Sequence, residues 1–358
     1  MRYIQKTNYM QDVRLLNKPG QAGWYLALAV ALIVAPFVLG NYWLSQLNFV
    51  LIYSIAGLGL MLLSGFTGLL SLGHAAFLGV GAYTQAVLVG AGVPFPLAIL
   101  CAAALSAAVG AVVGLPALRV KGIYLAIATL AFGLIVEEVF ARWESVTGGN
   151  GGLLVPSLEL AGVKLGATDR FYWVALICCA IVTLAVLNFL RSPTGRAFVA
   201  IRDSEISAQS MGINLALYKT VSFALSAAIV GIAGALYAHQ LRYLSPEQFG
   251  ITQSIDLLML VVVGGLGAVQ GAYIGAVFLI AAPQLISLGK DYLPGFVAEA
   301  PGLQLVVFGL VLILVVMFEP QGLYGRWIRI RTYFELFPIY RKGLMRRQRS
   351  FQKSERLH

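Results

Sequence analysis

Few side chains in this sequence could perform catalysis, and those few are far apart. The 358 residues include only three histidines, and the cysteines Cys101, Cys178 and Cys179 all fall inside apolar runs, where packing is their expected role. His74 and His239 stand at opposite ends of predicted membrane spans, so they cannot share a metal ion. The residue types therefore predict neither a metal centre nor a catalytic nucleophile, and the chain is not expected to be an enzyme.

Nucleotide-binding patterns are missing as well. Lys290 follows a glycine but precedes Asp291, and Gln284 stands where a phosphate loop needs its first glycine. The glycines at 265 and 267 lack the preceding strand and the later acid of a dinucleotide fingerprint. We therefore expect no cofactor on this chain and no ATP hydrolysis by the chain alone.

Three acidic residues lie within apolar stretches: Glu137, Glu138 and Asp256. A carboxylate in hydrocarbon is costly and usually faces a partner or a wet cavity. Because Glu137 and Glu138 are adjacent, they point about 100° apart on a helix, and at most one is expected to face a solute pathway. The alternative is that both reach outward or pair with Arg142.

These residues must be positioned by membrane helices. Hydrophobic residues make up 59% of the chain and charged residues 11%, against about 25% charged in soluble domains. The composition predicts an all-α integral membrane protein. Ten apolar segments have about the length of a span, the first read as a retained helix and not as a removed signal peptide: 24–43, 47–64, 74–92, 97–117, 123–141, 171–190, 219–239, 253–268, 270–288 and 302–319.

Charge placement sets the predicted orientation. With the N-terminus inside, 20 of the 25 Lys and Arg residues fall in cytoplasmic pieces, as the positive-inside rule requires. The chain is thus divided into a cytoplasmic arm (1–23), a membrane domain (24–320) and a basic cytoplasmic tail (321–358). Between Arg326 and His358 the net charge is +8, which predicts an anchor on anionic lipid and not a nucleic-acid site. The external loop 142–170 is either a docking surface or a glycine-rich connector.

One polar segment, 191–219, interrupts the apolar pattern on the cytoplasmic side; we call it the coupling segment. Ser192 and Pro193 predict the start of a short amphipathic helix, and Asp203 or Ser204 can cap a second one that carries Glu205 in its first turn. Gly212 suits a left-handed helix end. The two helices are expected to present Phe198, Val199, Ile201, Ile206 and Met211 to another protein or to the membrane surface, although an ordinary solvated loop is the simpler alternative.

Two glycine-rich breaks occur at corresponding places in the two halves of the chain. Residues 65–73 (GFTGLLSLG) and 264–267 (GGLG) each interrupt an apolar stretch and lead into a span containing Gly-Ala-Tyr. Paired interrupted helices indicate a repeated transporter architecture with its pathway at the repeat interface. The simpler alternative is close helix packing through small residues, as in the series Gly267, Gly271 and Gly275.

Four blocks of sequence resemble a known family. GLLSLGHAAFLGVGAYTQAV (68–87), GIYLAIATLAFG (122–133) with TGGNGG (147–152), the block 192–238, and VVVGGLGAVQGAYIGA (261–276) are similar to the LivM-type permease of branched-chain amino acid ABC importers. The resemblance implies the type II importer fold, with about ten helices and two pseudo-repeated halves. It covers most of residues 45–320.

The resemblance also implies partners and roles. It implies a LivH-type permease, two ATPase subunits that carry ATP and Mg, and a periplasmic solute-binding protein, all at a bacterial inner membrane. The coupling segment would dock on an ATPase subunit, although Glu205, Ala208 and Gly212 follow the family's E-A-A-x-x-x-G pattern only loosely, with the glycine one residue late. The implied ATPase-coupling residues are Arg196, Phe198, Arg202, Asp203, Glu205, Met211 and Gly212. The candidate pathway residues are Ser71, His74, Tyr83, Thr84, Thr129 and Glu137.

Three functional hypotheses follow. The first is import of branched-chain or related amino acids, and the second is import of urea, short amides or small carboxylates by the same class of machine. The third is an ion-coupled secondary transporter that uses Glu137, Glu138 and Asp256.

Overall fold

The fold was examined in a computed structural model, which describes residues 19–116, 120, 122–160, 163–164, 166–290, 303–319 and 322–336. Most of the predicted N-terminal arm and the tail beyond residue 336 lie outside these ranges. The described chain is almost entirely helical. Its helices, numbered in chain order, are α1 Pro19–Val38, α2 Asn41–Leu60, α3 His74–Gly90, α4 Phe95–Gly114, α5 Ile123–Arg142, α6 Glu144–Thr147, α7 Thr168–Arg191, α8 Pro193–Asp203, α9 Glu205–Ser210, α10 Leu215–Leu241, α11 Ile251–Gly264, α12 Val269–Lys290, α13 Leu303–Phe318 and α14 Gly322–Leu336.

Each of the ten predicted apolar segments coincides with a helix to within a few residues: α1 to α5, α7 and α10 to α13. Among the described residues, six helices are long and apolar enough to cross a membrane, namely α2 with its π-helical extension, α4, α5, α7, α10 and α12. By contrast α3, α11 and α13 have only 14 to 17 residues. At about 1.5 Å per residue, such a helix falls short of a hydrocarbon core of about 30 Å.

Both predicted breaks are present, and short helices lie next to them. After α2 a π-helical turn, Met61–Phe66, ends the first helix, and α3 begins only at His74. The helix α11 ends at Gly264 and α12 begins at Val269, with Gly265 and Gly267 at positive φ of 116° and 83°. A residue with a side chain rarely adopts these angles, so glycine permits the chain to change direction here.

The core lies around α10, which packs against α2, α3 and α4. Small residues bring these backbones together: a Cβ on Gly81 of α3 would lie 2.2 Å from the carbonyl oxygen of Gly231, and one on Gly110 of α4 would lie 2.5 Å from the Cβ of Ala227. Likewise a Cβ on Gly275 would meet the carbonyl of Leu260 at 1.9 Å. The predicted close packing through glycine is therefore confirmed.

The loop between α5 and α7 is folded onto the end of the bundle that the charge pattern predicts to be external. It contains α6, the 3-10 turn Gly149–Gly151 and three two-residue strands, β1 Leu153–Leu154, β2 Glu159–Leu160 and β3 Val163–Lys164. Strand β1 pairs antiparallel with β4 Tyr243–Leu244, directly after α10, and β2 pairs with β3. The loop is thereby fixed to the end of α10.

Candidate coupling site and translocation residues

The coupling segment folds as two capped helices and a turn. The hydroxyl of Ser192 accepts a hydrogen bond from the Gly195 amide at 3.3 Å and begins α8, while the hydroxyl of Ser204 accepts from the Ser207 amide at 3.2 Å and begins α9. Of the two predicted caps, Ser204 is therefore the one used. Gly212 adopts φ of 83°, as expected for a left-handed helix end, and the Asn214 side chain caps α10.

The apolar face of α8 packs against the permeation bundle of the same chain. Phe198 is fully buried, with its ring centroid 5.3 Å from that of Phe189 and 6.4 Å from that of Tyr218. Ile201 is buried beside it. The expectation that Phe198 and Ile201 face another protein is therefore wrong, because the apolar stripe of this helix is already covered by α7 and α10.

A buried ion pair connects α9 to α10. The Lys219 Nζ lies 2.7 Å from the Glu205 Oε1, and the lysine side chain is only 3% exposed. A buried cation without an anion would be costly, so the pair fixes the position of α9 relative to the start of α10. Sequence reasoning assigned Glu205 to a partner and gave Lys219 no role; a lysine four residues into an apolar helix was the available signal.

The outward face of the segment is both apolar and concave. Ile206 and Met211 are 79% and 85% exposed. Beside them a cavity of about 560 Å³ lies between α9 and the start of α10, lined among others by Glu205, Gln209 and Asn214. Exposed apolar side chains next to a polar groove are typical of a surface that binds another protein.

Arg202 points from the coupling segment toward the helix breaks. Its Nη1 donates to the carbonyl of Gly65 at 3.0 Å, and its Nε and Nη2 donate to the carboxylate of Asp203. A Cβ on Gly267 would lie 3.0 Å from the same Nη1, and one on Gly68 would lie 3.0 Å from the Arg202 Cγ. One side chain of α8 therefore touches both interrupted segments. Arg196, by contrast, donates to the carbonyl of Arg191 at the surface.

The two breaks also touch each other. A Cβ on Gly65 would lie 2.7 Å from the Gly267 amide nitrogen, and that amide donates to the Met61 sulfur at 3.2 Å. The start of α14 joins the same junction, since a Cβ on Gly322 would lie 2.5 Å from the backbone of Gly265. We call the contact among these segments the glycine junction.

Three of the predicted pathway residues belong to a buried polar network near the first break. His74 is fully buried, and its ring nitrogens lie 2.8 Å from the hydroxyls of Ser71 and Ser226. Ser226 in turn donates to the carbonyl of Gly59. The Thr129 hydroxyl accepts from the Leu72 amide at 3.0 Å. Within the described chain these groups are buried and hold α3, α5 and α10 together.

The other three lie toward the predicted outer end. Tyr83 is buried against the rings of Phe140 and Phe249, at 4.6 and 5.7 Å, and its hydroxyl has no hydrogen-bond partner within the described residues. The Thr84 hydroxyl donates to its own helix. Glu137 is partly exposed, and its carboxylate lies next to the backbone of Gly250. Glu138 instead pairs with Arg142, one of the two alternatives considered for it.

The architecture is that of a helical membrane protein with interrupted helices, and its sequence matches one family. The family described as branched-chain amino acid transport system / permease component matches residues 42–316. This chain belongs to that permease family. It is therefore a multi-pass membrane permease, and not an enzyme. Among the described residues, no cluster of three or more His, Cys, Asp or Glu could hold a metal ion.

Individual relatives agree with the family. The permease is 33% identical to the high-affinity branched-chain amino acid transport system permease protein LivM of Salmonella typhimurium, over 83% of this chain and 73% of the relative. It is 32% identical to LivM of Escherichia coli with the same coverage. It is 26% identical to LivH of Salmonella typhimurium, over 76% of this chain and 91% of the relative. No solved structure matches it.

Proposed function

We propose that this permease is the LivM-type membrane subunit of an ATP-driven importer for branched-chain or related amino acids. It would pair with a LivH-type permease, bind two ATPase subunits that carry ATP and Mg, and receive solute from a periplasmic binding protein. The similarity to LivM over 83% of the chain supports this solute class, and the lack of a phosphate loop in the sequence supports separate ATPase chains.

The observation that carries the proposal is that the coupling segment has two faces with different contacts. Its outward face offers Ile206, Met211 and the groove beside them, whereas its inward face contacts the glycine junction through Arg202. Movement of an ATPase subunit docked on the outward face would be transmitted by α8 to both helix breaks. Breaks held by backbone contacts have few intermediate arrangements, so they suit a switch between two states of access.

The orientation belongs to the same proposal. The coupling segment, both termini and the basic tail would lie in the cytoplasm, and the loop 142–170 would face the periplasm of a bacterial inner membrane. In that arrangement Glu137, Tyr83 and Thr84 lie toward the periplasmic half of the pathway. Ser71, His74 and Thr129 would act mainly by holding the helices around the first break.

Reconstitution tests the function. The permease would be purified with its copurifying subunits, placed in lipid vesicles and supplied with labelled L-leucine, its binding protein and ATP. We expect uptake that requires both ATP and the binding protein, and that stops when ATP is replaced by a non-hydrolysable analogue. Leucine uptake without ATP would overturn the proposal.

Parallel arms address the two other hypotheses. Labelled urea, acetamide and acetate replace leucine in one set, and ATP-dependent uptake of one of these in preference to leucine would favour the second hypothesis. An uncoupler that abolishes uptake while ATP is present would favour an ion-coupled transporter. We expect neither result.

A further inference from the structure

A second cavity lies at the ends of α7 and α10 that are remote from the coupling segment. It has a volume of about 310 Å³ and lies between the start of α2, the loop before α7 and the end of α10. This volume is within the range of pockets that bind small molecules. We call it the outer cavity.

The chemistry of its lining is that of a site for a small anion. Its exposed surface is mostly polar, and Ser45, Gln240 and Arg242 provide hydroxyl, amide and guanidinium groups. Acidic residues are absent from its described lining. The cavity therefore carries a positive charge and would favour a carboxylate over an ammonium group.

Arg242 is held in place by its backbone. Within the described chain it is the only non-glycine residue with positive φ, at 63°, a conformation that is unfavourable for most side chains. Its amide donates to the Ala238 carbonyl and its carbonyl accepts from the Val155 amide, both at hydrogen-bonding distance. Helix end and strand pairing thus fix the backbone in this conformation, and the guanidinium reaches across to donate to the Gly166 carbonyl.

Arg242 has donors left for a ligand. Ion pairs of Arg242 with an acidic side chain are absent from the described part of the structure, and a guanidinium has five N–H groups, of which one is used by Gly166. Next to it, the Gln240 amide donates to the Ser45 hydroxyl at 2.9 Å, which leaves that hydroxyl its own proton to donate. His239 also lines the cavity and contacts Gln85, a fully buried side chain whose amide oxygen has no hydrogen-bond partner among the described residues.

We propose that the outer cavity is a binding site for a small carboxylate, which Arg242 and Ser45 hold. The proposed site is lined by residues of this one chain. It goes beyond the proposed function, because binding here requires neither ATP nor a partner.

Calorimetry on the full-length chain in nanodiscs tests the site, with isovalerate as probe and isoamylamine as the amine of the same skeleton. We expect isovalerate to bind and isoamylamine not to bind. Arg242→Gly should weaken isovalerate binding at least tenfold, because glycine keeps the left-handed backbone while the guanidinium is lost. Arg142→Gln, which changes an arginine on the same predicted side outside the cavity, should bind as the unmodified chain does.

Folding is controlled within the same experiment. Glycine accepts positive φ, so the Arg242→Gly chain should unfold at the same temperature as the parent or higher; if it unfolds lower, Arg242→Asn provides the measurement instead. Equal isovalerate binding with and without Arg242, or equal binding of the amine, would overturn the proposal. Leucine uptake in vesicles is measured separately, so a failure of this site is distinguishable from a failure of the transport proposal.

Discussion

The Nη1 of Arg202 lies 3.0 Å from the carbonyl oxygen of Gly65, although the two residues are 137 positions apart in the sequence. This contact joins a surface helix to the end of an interrupted membrane helix. The coupling segment is thereby connected directly to the first helix break, residues 65–73.

Replacing Arg202 should uncouple ATP hydrolysis from transport. In Arg202→Gln the hydrogen bond to Gly65 is lost or weakened, so movement of α8 is no longer passed to the break. We expect the ratio of solute transported to ATP hydrolysed to fall about tenfold, equivalent to about 1.4 kcal/mol of coupling. Arg142→Gln, which changes an exposed arginine that pairs with Glu138 on its own helix away from the coupling segment, should retain the ratio. An unchanged ratio in Arg202→Gln would rule out this role.

The Glu205–Lys219 pair should stabilise the folded permease. Glu205→Gln leaves the lysine buried without its anion, and removal of one member of such a pair costs about 3–5 kcal/mol. Thermal unfolding of the purified permease should therefore occur at a clearly lower temperature. The double variant Glu205→Leu with Lys219→Met should recover most of the loss. Asp203→Asn, at an exposed acid of the same segment, provides the control, and a loss as large there would contradict the prediction.

A methyl group at the glycine junction should disturb the contact between the breaks. In Gly65→Ala the new Cβ meets the Gly267 backbone, which cannot move aside as a flexible side chain can. We expect a loss of about 1–3 kcal/mol in unfolding free energy together with reduced transport. Gly309→Ala, in α13, adds the same group where nothing lies within 4 Å and should be neutral or slightly stabilising. Equal stability of the two variants would count against a packed junction.

Ile206 and Met211 should retain the ATPase subunits, whereas Phe198 should not contact them. The variant Ile206→Ser with Met211→Ser loses exposed apolar area, so less ATPase should copurify while the permease keeps its unfolding temperature. Phe198→Ser should lower the unfolding temperature, because its ring is buried in the bundle. Leu154→Ser, an equally exposed leucine on the opposite predicted side, is the control. Full retention of ATPase in the double variant would exclude this face as the docking surface.

The two adjacent glutamates should differ in their effect on transport. Glu137→Gln removes a partly exposed charge beside Gly250, and we expect uptake of L-leucine in vesicles to fall severalfold. Glu138→Gln removes an exposed carboxylate that pairs with Arg142 on its own helix, where such pairs contribute about 0.3–0.5 kcal/mol, so uptake should remain near the parent value. An equal decrease in both variants, or no decrease in either, would contradict a role for Glu137 in the pathway.

The sequence predicts elements well where the signal is local. The capping pair Ser192 and Pro193, the left-handed Gly212 and the breaks at 65–73 and 264–267 all follow from residue types within a few positions of one another. Span positions follow in the same way from long apolar runs. The number of helices that fully cross the bilayer cannot be predicted in this way, because short helices such as α11 and α3 depend on their neighbours to complete a crossing.

The contacts that define the site are not local. An amphipathic period in α8 predicts an apolar face but not what covers it, so Phe198 was assigned to a partner when the same chain covers it. Arg202 and Gly65 are brought together only by the packing of the whole bundle. Polar residues on apolar helices, such as His74, are conspicuous in the sequence, yet only the structure shows that Ser71 and Ser226 satisfy its ring.

The buried Lys219 has a consequence for biogenesis. During synthesis Glu205 leaves the ribosome before Lys219, so the anion is already present when the nascent α10 presents its lysine to the membrane. The pair between the surface helix α9 and the start of α10 can therefore form as α10 is inserted, without waiting for downstream helices. A chain that loses Glu205 would expose an uncompensated cation at this stage, and cellular quality control would encounter the defect before any partner subunit does.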